Sequence, residues 1–194
     1  MLKNTRNLIV YHGSYTRVKD IDLKFAKKNK DFGIGFYVTS DKQQAIKFAK
    51  LIAKRYKSNK CYVNSYSINS FENLNIKEFD TTDSKWLNCV IGFRSSKYNK
   101  YAKEYEKEDV ISGKIADDET SLVINAYISE AYGQVGTKQA YLTAIRLLKP
   151  NVLSDQICFK TTKAIKRLKY IEAEEINLWL RILKKNIVQT ILLL

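Results

Sequence analysis

A short apolar run that ends at a glycine turn constrains the start of this chain. Leu8-Ile9-Val10 is followed by Tyr11-His12-Gly13-Ser14, and His12 is the single histidine of the sequence. Such a run predicts a buried strand, and the glycine indicates a turn. A second segment, residues 31–37, again combines glycines with aromatic residues. We therefore expect His12 at the end of a buried strand, where the backbone turns toward a cleft.

The composition favours one folded domain in a reducing compartment. The chain has 194 residues, of which 45% are hydrophobic, which is enough for a core. It has no apolar stretch of the roughly 18 residues that a membrane span needs, and no secretory signal pattern is seen, so we expect a cytoplasmic protein. The three cysteines are widely spaced in apolar surroundings, which predicts buried reduced thiols: Cys61, Cys89 and Cys158.

The chain is strongly basic, and two explanations of that charge remain open. Its 34 lysines and arginines against 20 acidic residues give a net charge of +14. A basic surface attracts nucleic acids, nucleotides or acidic protein faces. Most of the excess is lysine in a chain rich in asparagine and isoleucine, a composition that AT-rich coding sequence also produces. Either way, a basic surface would help to draw in a phosphate-bearing ligand.

Caps and apolar spacing predict the order of the local elements. Helices are expected after Ser40-Asp41, after Asp83, over residues 122–132, over residues 139–148 up to Pro150, and from Thr161-Thr162 to Leu168. Strands are expected over residues 61–68, 110–115, 156–159 and 170–173, and residues 71–79 are irregular or a strand. The polar, tyrosine-rich residues 95–108 indicate a solvated helix or a mobile loop.

The C-terminal segment has a different pattern. Its apolar residues between Ile176 and Leu192 form a broad helical face, while Arg181, Lys184 and Lys185 make it too polar to span a bilayer. We expect a domain over residues 1–173 and an amphipathic helix over residues 174–194. The apolar face of that helix would pack on the domain or bind a partner protein, a dimer mate or a membrane surface.

Several common catalytic sites are improbable for this chain. One histidine and no Cys-x-x-Cys pair argue against a zinc enzyme, and no Gly-x-Ser-x-Gly elbow supports a serine hydrolase. Asp31-Phe32-Gly33 and Gly33-Ile34-Gly35 match the kinase and dinucleotide-loop motifs only weakly, because the rest of each motif is absent. We expect no metal site, since two neighbouring carboxylates, Asp117 and Asp118, have no evident third ligand.

Ordered blocks of the sequence resemble the histidine-tyrosine class of the ADP-ribosyltransferase superfamily. The chain looks like a family of small bacterial proteins of uncharacterised function with an ADP-ribosyltransferase-like domain (DUF3990-like). The blocks lie within residues 8–172, in this order: residues 11–14, 31–39, 44–45, 79–87, 116–118 and 155–159. The resemblance implies an α+β fold with a split, bent β core and peripheral helices, and NAD as substrate.

The resemblance also implies roles for individual residues. Gly13 would pair its backbone with the nicotinamide carboxamide, helped by Ser14, and His12 would hold a ribose hydroxyl. Tyr37 would stack on the nicotinamide ring, and Phe36 would point to the other side of the strand. The expected NAD-binding set is Tyr11, His12, Gly13, Ser14, Gly35, Phe36 and Tyr37, and the expected catalytic set is His12, Tyr37 and Gln156.

The third catalytic position departs from the pattern of the superfamily. Related enzymes commonly place a glutamate there, whereas the matching block of this chain presents Gln156 beside Asp155. An amide can bind and orient a hydroxyl but cannot act as a general base. Mono-ADP-ribosyl transfer or NAD hydrolysis is therefore more plausible than polymer elongation. Asp117 and Asp118 fit helix capping, with ribose or acceptor binding as the alternative.

These inferences lead to one leading hypothesis and two rivals. The first is an NAD-dependent mono-ADP-ribosyltransferase, a bacterial toxin or defence effector that modifies a protein or nucleic acid and is neutralised by an antitoxin or immunity protein. The second is a catalytically inactive module of the same fold that binds a partner through its basic surface or C-terminal helix. The third is nucleic-acid binding without catalysis.

Overall fold

The described residues form a mixed α+β structure. The computed structural model describes Leu2 and residues 5–114, 118–148 and 155–177. Its strands are β1 (Leu8–Ser14), β2 (Phe36–Val38), β3 (Cys61–Ile68), β4 (Ile76–Glu78), β5 (Val110–Lys114), β6 (Asp155–Phe159) and β7 (Leu168–Ile176). Its helices are α1 (Lys42–Arg55), α2 (Ser84–Arg94), α3 (Asp118–Ile128), α4 (Lys138–Leu148) and α5 (Thr162–Ile165). Short 3₁₀ helices cover Leu23–Phe25, Ser96–Tyr101 and Lys103–Tyr105.

The strands build two sheets. One has three strands in the order β1-β3-β7, and the other has four in the order β2-β6-β5-β4. In the four-stranded sheet, β4 runs parallel to β5, while β5 runs antiparallel to β6 and pairs Gly113 with Gln156. Two sheets accompanied by several helices confirm the expected α+β class.

The chain divides into two compact units, and each contains one of the sheets. The first unit comprises the N-terminal residues up to Leu8, Ile21–Tyr37 and Ile68–Leu168. The second comprises Ile9–Asp20, Val38–Ser67 and the residues from Lys169 onward. Each unit is therefore assembled from segments that are far apart in the sequence.

Each unit has its own core. In the first unit, Trp86 and Leu87 of α2 are fully buried with Ile111 of β5 and Ile124 of α3. In the second unit, the small α1 residues Ala49 and Ala53 pack with Cys61 of β3, and Ile176 of β7 lies against this cluster. Cys61, Cys89 and Cys158 are buried free thiols, as the sequence predicted.

Three helix starts confirm the capping predictions. Asp41 accepts a hydrogen bond from the Gln43 backbone N–H at 2.8 Å, and Asp83 accepts one from Trp86 N–H at 2.9 Å. Thr161 Oγ1 accepts one from Ala164 N–H at 3.2 Å. Each cap satisfies a donor that the first helical turn leaves without a partner in the helix.

Other local predictions need correction. Residues 95–108 are neither a solvated helix nor a mobile loop, because Tyr98 and Tyr105 of their 3₁₀ helices and Ala102 between these helices are buried. The sequence pattern did not indicate this packing, because polar residues flank the buried tyrosines in the sequence.

The last described elements also differ from the expectation. Helix α5 ends at Ile165, so Leu168 begins β7 instead of closing the helix. Strand β7 continues to Ile176, so residues 174–176 are strand where the amphipathic helix was expected to begin. Pro150, Asp117 and residues 178–194 of the expected C-terminal helix lie outside the described residues.

Candidate functional site

In the second unit, the predicted residues Tyr11 to Ser14 form the second half of β1. The turn expected at Gly13 is wrong, because the strand continues through Gly13 to Ser14. The Tyr11 backbone pairs with Thr39, through N–H to O at 2.8 Å and the reverse bond at 3.0 Å. His12 is half-buried, and its carbonyl accepts a hydrogen bond from Asn64 Nδ2 at 3.3 Å. The backbone around His12 is therefore held on both sides.

Asn64 of β3 organises the segment that follows His12, and the sequence interpretation missed it. Its side chain is fully buried, its Nδ2 also donates to Thr16 O at 3.3 Å, and its Oδ1 accepts from Val18 N–H at 2.7 Å. Tyr66 adds a bond from its hydroxyl to Val18 O. The strand over residues 61–68 was predicted correctly, and seven of its eight residues are buried.

Gly13 and Ser14 have structural partners of their own. A Cβ on Gly13 would lie 2.3 Å from Ala45 O and 2.6 Å from Ala49 N, so only glycine allows α1 to approach β1 this closely. Ser14 is buried, and its Oγ accepts from Thr16 N–H at 3.2 Å. These packing roles stand beside the ligand-binding roles that the sequence suggested.

In the first unit, β2 begins at the predicted Gly35-Phe36-Tyr37 segment. A Cβ on Gly35 would lie 2.4 Å from Cys158 Sγ and 2.8 Å from Phe159 O, so glycine lets this segment pack directly on β6. Phe36 is buried in the core, with 9% of its surface exposed.

Tyr37 closes the turn that precedes its own strand. Its hydroxyl donates to Gly33 O at 2.8 Å and accepts from Phe32 N–H at 3.0 Å. Burial, with a further contribution from the Cys158 thiol, raises the pKa of the Tyr37 phenol well above its usual value. The phenol therefore stays neutral at physiological pH, and what it can offer a ligand is its ring.

Gln156 lies at the start of β6 with 5% of its surface exposed. Its Nε2 donates to Asp31 Oδ2 at 2.7 Å and to Lys114 O at 3.3 Å. Asp31 in turn binds Arg94, whose Nε donates to Oδ1 at 2.7 Å. Sequence reasoning noted Asp31 only in a weak kinase-like motif and did not single out Arg94.

The turn at Asp31–Gly33 thus joins two of the predicted catalytic side chains. Asp31 holds Gln156, and the backbone of Phe32 and Gly33 holds the Tyr37 hydroxyl. Both side chains belong to neighbouring strands of the same sheet, β2 and β6. His12, by contrast, belongs to the second unit.

The buried thiols near this turn, Cys89 and Cys158, are expected to be unreactive. Burial raises the pKa of Cys158 to about 12 and that of Cys89 further still, so both stay protonated at physiological pH. Because the thiolate is the reactive form, neither is suited to act as a nucleophile.

The described residues show no group of three or more His, Cys, Asp or Glu side chains able to hold a metal ion. Asp118 begins α3, and its side chain, like Asp117, lies outside the described residues. A pocket of about 550 Å³ in the first unit is lined by residues 5–6 and 69–74, none of which belongs to the predicted site. Within the described ranges, no helix combines the length and apolarity that crossing a membrane requires.

Comparison with known proteins identifies a family. No curated protein and no solved structure matches the chain. Residues 8–170 match the model of a family described as protein of unknown function DUF3990. These residues include His12, Tyr37 and Gln156 and form most of the sequence. The chain therefore belongs to the DUF3990 family.

Proposed function

We propose that this chain is an NAD-dependent mono-ADP-ribosyltransferase with an ADP-ribosyltransferase-like fold. The observation that carries the proposal is the arrangement around Asp31–Gly33, which binds the side chains of both Tyr37 and Gln156. An aromatic ring and a hydrogen-bonding amide on adjacent strands suit a ligand with a flat ring next to a hydroxylated sugar. Nicotinamide attached to ribose has this chemistry.

Each predicted residue would contribute binding or orientation. The Gly13 backbone and Ser14 would bind the carboxamide, Tyr37 would stack on the nicotinamide ring, and His12 and Gln156 would hold ribose hydroxyls. Tyr11, Gly35 and Phe36 would shape the backbone around these contacts. None of these roles requires a metal ion.

The reaction would break the bond between the nicotinamide nitrogen and the anomeric carbon of ribose. Nicotinamide leaves as a neutral molecule with the electron pair of that bond, and positive charge develops on the ribose. An acceptor nucleophile then attacks the anomeric carbon and releases its proton to solvent. Groups that hold the ribose more tightly as this charge develops lower the barrier.

Glutamine at position 156 favours a single transfer or NAD hydrolysis. Its amide can accept a hydrogen bond from a ribose hydroxyl, but it cannot remove a proton from an acceptor. A nucleophile that needs no strong base, or water, would therefore be the acceptor. The net charge of +14 mildly favours a nucleic-acid base over a protein side chain. A toxin or defence effector with a neutralising antitoxin or immunity protein fits such an activity.

Nicotinamide release from NAD tests the proposal directly. The full chain should release nicotinamide, and His12→Ala or Gln156→Ala should reduce the rate by about 100-fold, the scale on which one transition-state contact acts. Gln43→Ala, which removes an exposed glutamine of α1, is the matched control and should keep the wild-type rate. Thermal unfolding of each variant separates loss of activity from loss of folding.

Two results would replace this function with a rival. Absence of nicotinamide release and of transfer to any lysate fraction, with a biological effect that survives His12→Ala, would identify a catalytically inactive binding module. Salt-dependent binding of nucleic acid that Tyr37→Ala leaves unchanged, without turnover, would identify a nucleic-acid binder. Mass spectrometry for ADP-ribose adducts on protein and nucleic-acid fractions would name the acceptor.

A further inference from the structure

The Gln156 side chain donates a hydrogen bond to a buried ion pair, formed by Asp31 and Arg94. Asp31 is 5% exposed, and its Oδ1 lies 2.7 Å from Arg94 Nε and 2.5 Å from Arg94 Nη2. Its other oxygen, Oδ2, accepts the 2.7 Å bond from Gln156 Nε2. The three side chains come from a loop, the end of α2 and the start of β6, and all lie in the first unit.

These contacts decide which way the Gln156 amide faces. Its NH₂ group meets two acceptors, the Asp31 carboxylate and Lys114 O, and an amide oxygen in its place could bond to neither. Oε1 has no hydrogen bond within the described part of the chain. Because no fully buried side-chain nitrogen or oxygen of the described residues lacks a partner, Oε1 keeps part of the 5% of the Gln156 surface that is exposed.

We propose that Asp31 and Arg94 are positioning residues that present Gln156 Oε1 as a hydrogen-bond acceptor to a ligand hydroxyl. The same pair makes glutamine, and not glutamate, the side chain that fits position 156. The identity of the hydroxyl as a ribose hydroxyl of NAD rests on the proposed function. The orientation of the amide and the exclusion of glutamate do not.

The charges of the cluster explain the preference for glutamine. Arg94, Asp31 and the neutral Gln156 together carry no net charge. A glutamate at 156 would place a second carboxylate at the position now 2.7 Å from Asp31 Oδ2. Two carboxylates this close cannot both ionise without strong repulsion, so one of them must take up a proton or move away.

Exchanging the amide and the carboxylate tests this arrangement. In Asp31→Asn combined with Gln156→Glu, the bond is reversed: the asparagine NH₂ donates to the glutamate, and the asparagine oxygen accepts from Arg94. Each single substitution should lower the unfolding midpoint by roughly 5 °C. The double variant should regain part of that loss, because it restores the charge balance and the hydrogen bond between residues 31 and 156, while the bond to Lys114 O stays lost.

The pH dependence gives a readout that simple packing would not change. Gln156→Glu should approach wild-type stability as pH falls from about 8 to about 5, where a buried carboxyl beside another carboxylate takes up a proton and can donate to Asp31 as the amide does. Asp155→Asn on the same strand is the matched control. Asp155 is exposed and pairs with Lys114 Nζ at 2.9 Å, so its substitution should not rescue Gln156→Glu.

The outcomes separate this inference from the proposed function. If the two substitutions are additive in stability, or if Asp155→Asn rescues as well as Asp31→Asn, the positioning role is wrong. If the double variant recovers stability while neither the wild type nor any variant releases nicotinamide, the positioning role stands and the proposed function fails. If the positioning role and the proposed function are both correct, the double variant should also release nicotinamide faster than either single variant. A double variant that folds where both single variants do not counts as rescue.

Discussion

Single polar side chains hold the loops that carry the predicted site. Tyr37 closes the Phe32–Gly33 turn through its hydroxyl, and Asn64 fastens the segment from His12 to Val18 through three hydrogen bonds. A buried backbone group that loses its partner costs free energy, so such bonds restrict the loop to one conformation. The cost of removing one of them can be measured separately from any effect on a ligand.

Tyr37→Phe distinguishes the contribution of the Tyr37 hydroxyl from that of its ring. The substitution leaves Phe32 N–H without an acceptor and Gly33 O without its donor, so the free energy of unfolding should fall by about 2 kcal/mol. If the ring is what binds nicotinamide, release of nicotinamide should change far less than in Tyr37→Ala. Urea unfolding and the nicotinamide assay measure the two effects.

Tyr132→Phe is the matched control for this prediction. Tyr132 packs on the core of the first unit, and its hydroxyl makes no hydrogen bond within the described residues. Its substitution should change the free energy of unfolding by less than about 0.5 kcal/mol. Equal losses from Tyr37→Phe and Tyr132→Phe would show that the turn does not depend on the Tyr37 hydroxyl.

At the scale of elements, one carboxylate joins three parts of the four-stranded sheet. Asp109, just before β5, accepts from Asn75 N–H at 2.9 Å before β4 and from Thr161 Oγ1 at 2.6 Å before α5. Lys163 Nζ lies 3.6 Å from the same carboxylate. Burial acts to raise the pKa of Asp109, but these hydrogen bonds and the lysine outweigh it and the pKa is lowered.

The lowered pKa of Asp109 predicts a pH-dependent contribution to stability. The contribution is complete above the ordinary aspartate pKa of about 3.9 and is lost as pH falls through the lower pKa of the folded state. Asp109→Asn should therefore cost about 2 kcal/mol at neutral pH, because one oxygen becomes a donor that faces other donors. The difference from the wild type should shrink below about pH 4.

Urea unfolding across this pH range checks the prediction. Asp20→Asn is a suitable control, since Asp20 is exposed and has no hydrogen bond or ion pair within the described residues. Its free energy of unfolding should follow that of the wild type. A difference between wild type and Asp109→Asn that stays constant down to the lowest pH would contradict the assignment.

At the scale of the whole molecule, each unit draws strands from distant parts of the chain. The three-stranded sheet of the second unit needs β7, which begins at Leu168. Tyr62 hydroxyl bonds to Glu175 at 3.0 Å, and Ile176 packs against Ala49, Ala53 and Cys61. The second unit therefore depends on residues that follow nearly the whole of the first.

Two truncations test this dependence and the C-terminal segment together. Ending the chain after Arg167 removes β7 and should abolish cooperative unfolding of the second unit. Ending it after Asn177 retains β7 but removes residues 178–194 with their apolar face. The unfolding midpoint should fall if that face covers core residues of the domain, or a complex should be lost if the face binds a partner. Calorimetry and light scattering measure both effects. A 1–177 chain that is monomeric and as stable as the full chain would contradict the docking or partner role of residues 178–194.

The sequence by itself determined many of the local elements and, through the family resemblance, the α+β class of the fold. The caps at Asp41, Asp83 and Thr161 are readable because donor and acceptor lie within three residues of each other. The extent of β3 is readable from its own composition. Gly13 and Gly35 were singled out, although their close contacts with α1 and β6 became visible only in the structure.

Only the tertiary structure decided which distant polar groups meet. Asp31 is 63 residues from Arg94 and 125 from Gln156, and Asn64 is 52 residues from His12. No local period or motif records such partners, because they depend on which strands become neighbours and on how helices pack against them. The same long-range packing buried Tyr98 and Tyr105 in a segment whose polar composition indicated solvent. Burying a polar side chain is favourable only when its hydrogen-bond partner is in place, and a partner distant in sequence is in place only in the folded chain.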